Sequence, residues 1–209
     1  LEYILRTLES LNEQKKYLLN QTLIILIINN SADESNEVIK NNFSTHQLIK
    51  QNEYNFEYMI LDYYSSKNAI NVKKFGVGMA RKIGMDFALK YSKEDSLLFC
   101  LDADTLVSKK YLETVVNYYI KNNFQVCLVN FKHQDSYDSE INIGIRIYEN
   151  ALNDMARKIK NCNSPYGYIS MGSTIVCTIK AYIAVGGMPK RKAAEDFYFM
   201  QSLAKYTHI

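Results

Sequence analysis

The sequence predicts an α/β fold, an open and mostly parallel sheet flanked by helices, and three observations predict it. Short apolar runs recur along the 209 residues, bounded by Asn, Ser, Asp or Lys clusters, as buried strands do. Stretches with apolar residues at helical spacing alternate with those runs. With only two prolines and eight glycines there is no linker at which to divide the chain, so residues 1–209 read as a single domain. A composition of 47% hydrophobic and 22% charged residues excludes a disordered chain. The net charge of +3 is too small to mark a nucleic-acid surface, and no nucleic-acid partner is expected.

In chain order, Leu23 to Ile28 is an unbroken aliphatic run. It reads as a strand buried on both faces with neighbours on both edges, and it is far shorter than the roughly 20 residues that cross a membrane. Tyr58 to Leu61, Leu97 to Leu101 and Gln125 to Phe131 are the next strands. Ala80, Ile83, Gly84 and Phe87 fall on one helical stripe, and Leu112, Val115, Val116 and Tyr119 on another. A third stripe, Tyr148, Ala151, Leu152, Met155, Ala156 and Ile159, runs for over two turns, and Phe197, Met200 and Leu203 mark the last helix. These stripes are expected as core faces.

Cys100, Cys127, Cys162 and Cys177 form no C-x-x-C pair and three of them lie in apolar runs, so free, buried thiols in a reducing compartment are expected. The chain opens without a charged-then-apolar leader, which fits a cytoplasmic location, with peripheral contact at the inner membrane face open to it. His46 and His133 stand outside any motif and read as surface residues.

Ligands of open α/β sheets bind beyond the carboxyl ends of the strands, and the sharpest signal lies there. Leu97 to Leu101 runs straight into Asp102-Ala103-Asp104. Two carboxylates one residue apart repel each other unless a cation neutralises them, and Mg²⁺ or Mn²⁺ shared with substrate phosphates does so. The competing reading is an Asp pair capping a helix that starts near Ser108. A phosphatase nucleophile of the D-x-D-x-T/V type fits less well, because Leu106 occupies the Thr/Val position.

The second signal is Gly76-Val77-Gly78-Met79-Ala80-Arg81-Lys82-Ile83-Gly84. It is not a dinucleotide fingerprint, since Arg81 stands where the third glycine belongs. Cations in a first helical turn oppose the macrodipole unless an anion joins them, so phosphate binding and plain solvation compete for Arg81 and Lys82. The third signal is Val185-Gly186-Gly187, a basic Lys190-Arg191-Lys192 loop, and Glu195-Asp196 opening the last helix. There the acids either complement the dipole or do chemistry.

In this order the segments resemble family 2 glycosyltransferases of the GT-A fold, and the resemblance runs nearly end to end. Tyr3 to Gln14 is similar to the family's first helix, with its L-x-x-x-L-x-S-L-x-x-Q pattern. Leu23 to Ser31 resembles the strand ending in D-D-x-S, with Asn29-Asn30 in place of the two acids. Gly78 to Gly84 resembles A-R-N-x-G, with Lys82 for Asn; Leu101 to Thr105 resembles L-D-x-D; Val185 to Asp196 resembles V-G-G … E-D. The resemblance implies a nucleotide-sugar donor, a UDP-sugar, held by Asn29, Asn30, Arg81, Asp102, Gly186 and Gly187, with Arg81 on the diphosphate. It implies Mn²⁺ or Mg²⁺ on Asp104 and Asp102, and Asp196 as general base with Glu195 beside it.

The reaction implied is an inverting sugar transfer to a hydroxyl of a glycan or lipid-linked acceptor, as in polysaccharide synthesis. A nucleotidyltransferase or phosphatase using the same acidic pair, or a fold relative that binds nucleotide without turnover, remains the alternative. The chain begins after the place of the family's first strand and ends before the late His that some members use on the metal, a role for which His208 lies too near Glu195-Asp196. A fragment lacking that strand is therefore expected, with a short aliphatic strand directly before Leu1 and weak donor binding without it.

Overall fold

The computed structural model describes residues 2–65, 67–70, 78–191 and 193–209. Helix α1 (Glu2–Asn12) and a short α2 (Lys16–Leu19) lead into β1 (Leu23–Asn29). Helix α3 (Asn36–Gln51) then returns the chain to β2 (Glu57–Tyr63). Ser35 sets the start of α3, its Oγ accepting from the Val38 N–H. β1 and β2 pair in parallel, Leu23 opposite Glu57 through to Asn29 opposite Tyr63.

Helix α4 (Gly78–Ala88) lies against β1: a Cβ on Gly84 would meet Ile27 Cδ1 at 2.6 Å, so the Ile27 side chain uses the space that glycine leaves. A second sheet follows, built from β3 (Leu97–Phe99), β4 (Val126–Leu128) and β5 (Ile175–Thr178) in the order β3-β5-β4. Between these strands run α5 (Tyr111–Asn122) and α6 (Ser139–Asn161), and α7 (Ile179–Ala184) and α8 (Glu195–Tyr206) close the chain.

The strands foreseen over Leu97–Leu101 and Gln125–Phe131 are shorter as ladders. The Cys100 and Val129 amides still reach the Ile175 and Thr174 carbonyls, at 3.0 and 2.9 Å, as the chain leaves the sheet. β5 was not foreseen, and it runs antiparallel to both neighbours, so the architecture is a mixed α/β one with a parallel pair.

β5 is the centre of one core, with Ile175, Val176 and Cys177 fully inaccessible and Phe199, Met200 and Leu203 of α8 packed around it. A second core gathers Leu8 and Leu11 of α1, Leu18 and Leu19 of α2, Ile28, Ile49 and Phe56. Phe99 and Leu101 join this second core, while Leu98 and Cys100 join the first, so β3 contributes to both.

Two expectations need correcting. β1 is half-buried along most of its length rather than buried on both faces, because among the described residues it pairs with β2 alone. The stripe on α6 is not a core face, since no residue of that helix is buried and Tyr148 and Met155 are exposed. The partly covered line of α6 is Ile145, Glu149, Leu152, Ala156 and Ile159, which shares only its last three members with the expected stripe.

Candidate active site

Three segments far apart in sequence meet at one side chain. Arg81, in the first turn of α4, places Nη1 on Glu195 Oε1 and Nη2 on Asp102 Oδ1. Its side chain is 15% exposed, and that of Glu195 is 7% exposed. Burial alone would lower the guanidinium's pKa, but the Asp102 and Glu195 carboxylates outweigh it and hold Arg81 above its usual value. The remaining guanidinium nitrogen, Nε, is buried and has no hydrogen-bond partner among the described residues.

Glycines make room for this cluster. A Cβ on Gly78 would lie 2.6 Å from Glu195 Cγ, and one on Gly172, in the short 3₁₀ turn before β5, would overlap the Arg81 guanidinium. Backbone conformation also serves it: Ala194 caps α8 in the left-handed region at φ 56°, an uncommon state for a residue with a Cβ. That turn starts the helix so that Glu195 points inward while Asp196 stays partly exposed. Asp196 Oδ1 accepts from the Phe197 N–H at 2.7 Å.

Among the described residues one cation, Arg81, answers Asp102 and Glu195, and Asp104, two residues further on and exposed, adds another carboxylate. Asp102 keeps 43% of its side chain exposed, with Oδ2 outside the Arg81 contact. The capping reading of this pair fails, because α5 begins at Tyr111 behind Lys110, with no side-chain cap. Among the described residues no three His, Cys, Asp or Glu side chains gather as a metal cage. Two accessible carboxylates do fit a hard divalent cation whose other ligands are phosphate and water oxygens.

At the end of β1, Asn29 is half-buried and Asn30 is buried. The Asn30 amide is committed inside the protein, Nδ2 donating to the Ser31 carbonyl at 2.8 Å and Oδ1 accepting from Asn42 Nδ2 at 2.8 Å. The end of β1 thus carries two neutral amides.

Asp62, near the end of β2, was not foreseen. Burial pushes its pKa up, but donors from Ser65 and the Tyr64 amide outweigh that and hold the carboxylate below its usual range. Its only signal in the sequence was position, at the carboxyl end of a predicted strand. A cavity of about 680 Å³, lined by Ile39, Lys40, Phe43, Ser44, Tyr64 and Ser65, opens beside this end of β2 and away from Arg81.

Gly186 and Gly187 form the turn after α7, both at positive φ, and a Cβ on Gly187 would press on the Tyr182 ring at 3.0 Å. The structure gives them a role in the turn. Arg191 stacks over the Tyr198 ring at 3.6 Å. Gly76, Val77 and Lys192 of the predicted segments lie outside the described residues. The two histidines read as surface residues are in fact partly buried and partnered, His46 Nδ1 with the Tyr64 hydroxyl at 3.2 Å and His133 Nδ1 with Glu149 Oε1 at 2.9 Å.

Comparison with protein families gives the deciding match, in which the model of glycosyl transferase family 2 covers residues 1–175. The chain belongs to this family. Among solved structures, S. aureus TarS 1-349 matches this chain with a TM-score of 0.56 and 16% identity, over 97% of this chain and 51% of that one. At that identity the likeness concerns the GT-A fold alone, and the family 2 chain described here spans about half the length of the TarS chain. Comparison with curated proteins gives no match. No helix among the described residues is long and apolar enough to cross a membrane.

Proposed function

We propose that the chain is a metal-dependent inverting glycosyltransferase that moves a sugar from a nucleotide-diphosphate donor, a UDP-sugar, to a hydroxyl of a glycan or lipid-linked acceptor, in polysaccharide synthesis. One observation carries the reading: Arg81 joins Asp102 of the metal motif to Glu195 of the E-D helix. A phosphatase built on Asp102 has no use for that helix, and it would need as nucleophile a carboxylate already bound to a guanidinium.

In this reading Asp196 takes the proton of the acceptor hydroxyl as it attacks the anomeric carbon. Its Oδ1 is occupied by the Phe197 amide, so Oδ2 accepts the proton. Glu195 is not the base. Its buried carboxylate is spent on Arg81, and it fixes the first turn of α8 and hence the place of Asp196. Asp104 and the outer oxygen of Asp102 would hold Mn²⁺ or Mg²⁺, which supplies positive charge to the departing diphosphate.

Arg81, expected on the diphosphate, has both terminal nitrogens on carboxylates here. It serves the reaction by keeping two acids together at bearable cost. Asn29 and Asn30 lie on the side of the nucleotide base. The enzyme works in the cytoplasm, at the inner face of the membrane when its acceptor is lipid-linked.

Calorimetry with UDP tests the donor site. Binding should require Mn²⁺ or Mg²⁺, and Asp104→Asn should weaken it by more than tenfold, about 1.4 kcal/mol. Equal affinity with and without a chelator would sink the metal-dependent reading.

A further inference from the structure

The loop carrying the acidic pair spends its backbone on the protein itself. The Asp102 carbonyl accepts from the Thr105 N–H at 3.1 Å, the Ala103 carbonyl from the Thr7 hydroxyl at 2.9 Å, and the Asp104 carbonyl from Gln134 Nε2 at 3.2 Å. Further along, the Val107 N–H donates to Ser10 Oγ at 3.2 Å. Gln14 spans the rest, giving Nε2 to the Ser108 carbonyl at 2.9 Å and taking the Leu112 N–H on Oε1 at 3.1 Å.

Thr7, Ser10 and Gln14 are spaced i, i+3, i+7, one side of α1 and the turn beyond it. Thr7 is 3% exposed and Gln14 is 5% exposed. Polar groups so buried cost stability unless they are bonded, and these are bonded to the metal-motif loop and to its own continuation. The Thr7 hydroxyl has one proton and two acceptors in range, and the Ala103 carbonyl is nearer than the Tyr3 carbonyl at 3.2 Å.

The other side of the loop is held through α6. The His133 N–H donates to Glu149 Oε1 and its carbonyl accepts from Arg146 Nη2, each at 2.6 Å, which anchors the residue before Gln134.

Backbone carbonyls are ordinary ligands for a hard cation, and with three consecutive ones engaged this loop has side-chain carboxylates left to offer. We infer that Thr7 is a positioning residue of the donor site. By holding the Ala103 carbonyl it fixes the peptide linking Asp102 to Asp104, so that both carboxylates face one ligand. The functional half of this inference rests on the glycosyltransferase reading, whereas the mechanical half stands without it.

The test compares Thr7→Val, which keeps the shape and loses the donor, with Thr7→Ser, which keeps the hydroxyl, both in the full chain. Without ligand, amide hydrogen exchange at Thr105 and Val107 should quicken roughly tenfold in Thr7→Val and stay near the unmutated rate in Thr7→Ser. With Mn²⁺ present, UDP affinity measured by calorimetry should fall roughly tenfold in Thr7→Val and recover in Thr7→Ser. Unchanged exchange in a folded Thr7→Val chain overturns the inference, and so does faster exchange with unchanged affinity.

If Thr7→Val does not fold, Thr7→Ala, which also lacks the hydroxyl donor but crowds nothing, gives the same decision, and unchanged Mn²⁺–UDP affinity there also overturns it. An unmutated chain that ignores Mn²⁺–UDP would sink the proposed reaction, and the exchange measurement would then decide alone whether Thr7 holds the loop.

Discussion

β1 and β5 are both short aliphatic strands, yet they have opposite fates. Leu23–Asn29 is the more hydrophobic run and is only half-buried, while Ile175–Thr178 contains a Cys and a Thr and is buried at every position. The difference is neighbours: β5 has a strand on each edge and α8 against it, whereas among the described residues β1 has β2 on one edge. Composition sets how much a strand gains by burial, and topology sets how much burial it receives. The two halves also differ in chemistry, for the β5 half carries the acids of the proposed reaction and the β1–β2 half carries Asn29 and Asn30.

The largest expected effect separates the halves by function. Asp196→Asn should cut sugar transfer by about 10² to 10⁴ while leaving UDP affinity nearly unchanged. An unfolded variant or one with full turnover would assign the base elsewhere. Next comes packing: Phe199→Ala, in the core around β5, should cost about 3–5 kcal/mol in chemical denaturation, and Ile27→Ala in β1 only about 1–2 kcal/mol. Equal costs would erase the contrast between the strands.

A smaller effect sharpens the picture at α8. Ala194→Gly should stabilise the chain by about 0.5–1 kcal/mol, since glycine adopts the left-handed cap without the Cβ clash. A loss of stability would mean that the Ala194 methyl is needed for packing.

The smallest effect belongs to the β1–β2 half and depends on pH. The folded pKa of Asp62 lies below its ordinary value of 3.8, so the stability it contributes is present above pH 3.8 and lost as pH falls through the lower, folded value. Exchange of the Tyr64 and Ser65 amides, whose acceptor is Asp62 Oδ1, should therefore quicken beyond its normal pH trend in that range. Asp62→Asn should abolish this extra dependence.

Much of the fold was legible because its signals are local. The aliphatic run of β1, the strand leading into Asp102 and the stripes of α4 and α5 each declare themselves within a few residues. β5 did not, because its four residues run straight into α7, and the single Thr178 that ends the strand and caps the helix is too slight a break to separate the two periods. Polar α3 was hidden for the opposite reason, having few apolar residues with which to show a stripe.

In the site, Asp102, Asp104, Arg81 and the Glu195-Asp196 pair were found by their local patterns. That Arg81 would bind Glu195 was not legible, since side chains 114 residues apart leave no mark of their distance in the chain. Thr7 escaped notice as well, and the helix pattern that includes Ser10 and Gln14 gave them no task, although polar residues recurring on one side of an amphipathic helix are a readable sign of a buried polar contact.

The span of the Arg81–Glu195 contact also has a consequence in time. A ribosome adds about 5–20 residues per second, so Glu195 is made about 6–23 s after Arg81. During that interval a nascent chain holds Arg81 and Asp102 without their third member, and the site stays open on one side until α8 emerges and docks. Synthesis order therefore delays the closing of this cluster until α8 is made, and a chain that pauses before α8 holds Arg81 and Asp102 without the carboxylates of Glu195 and Asp196.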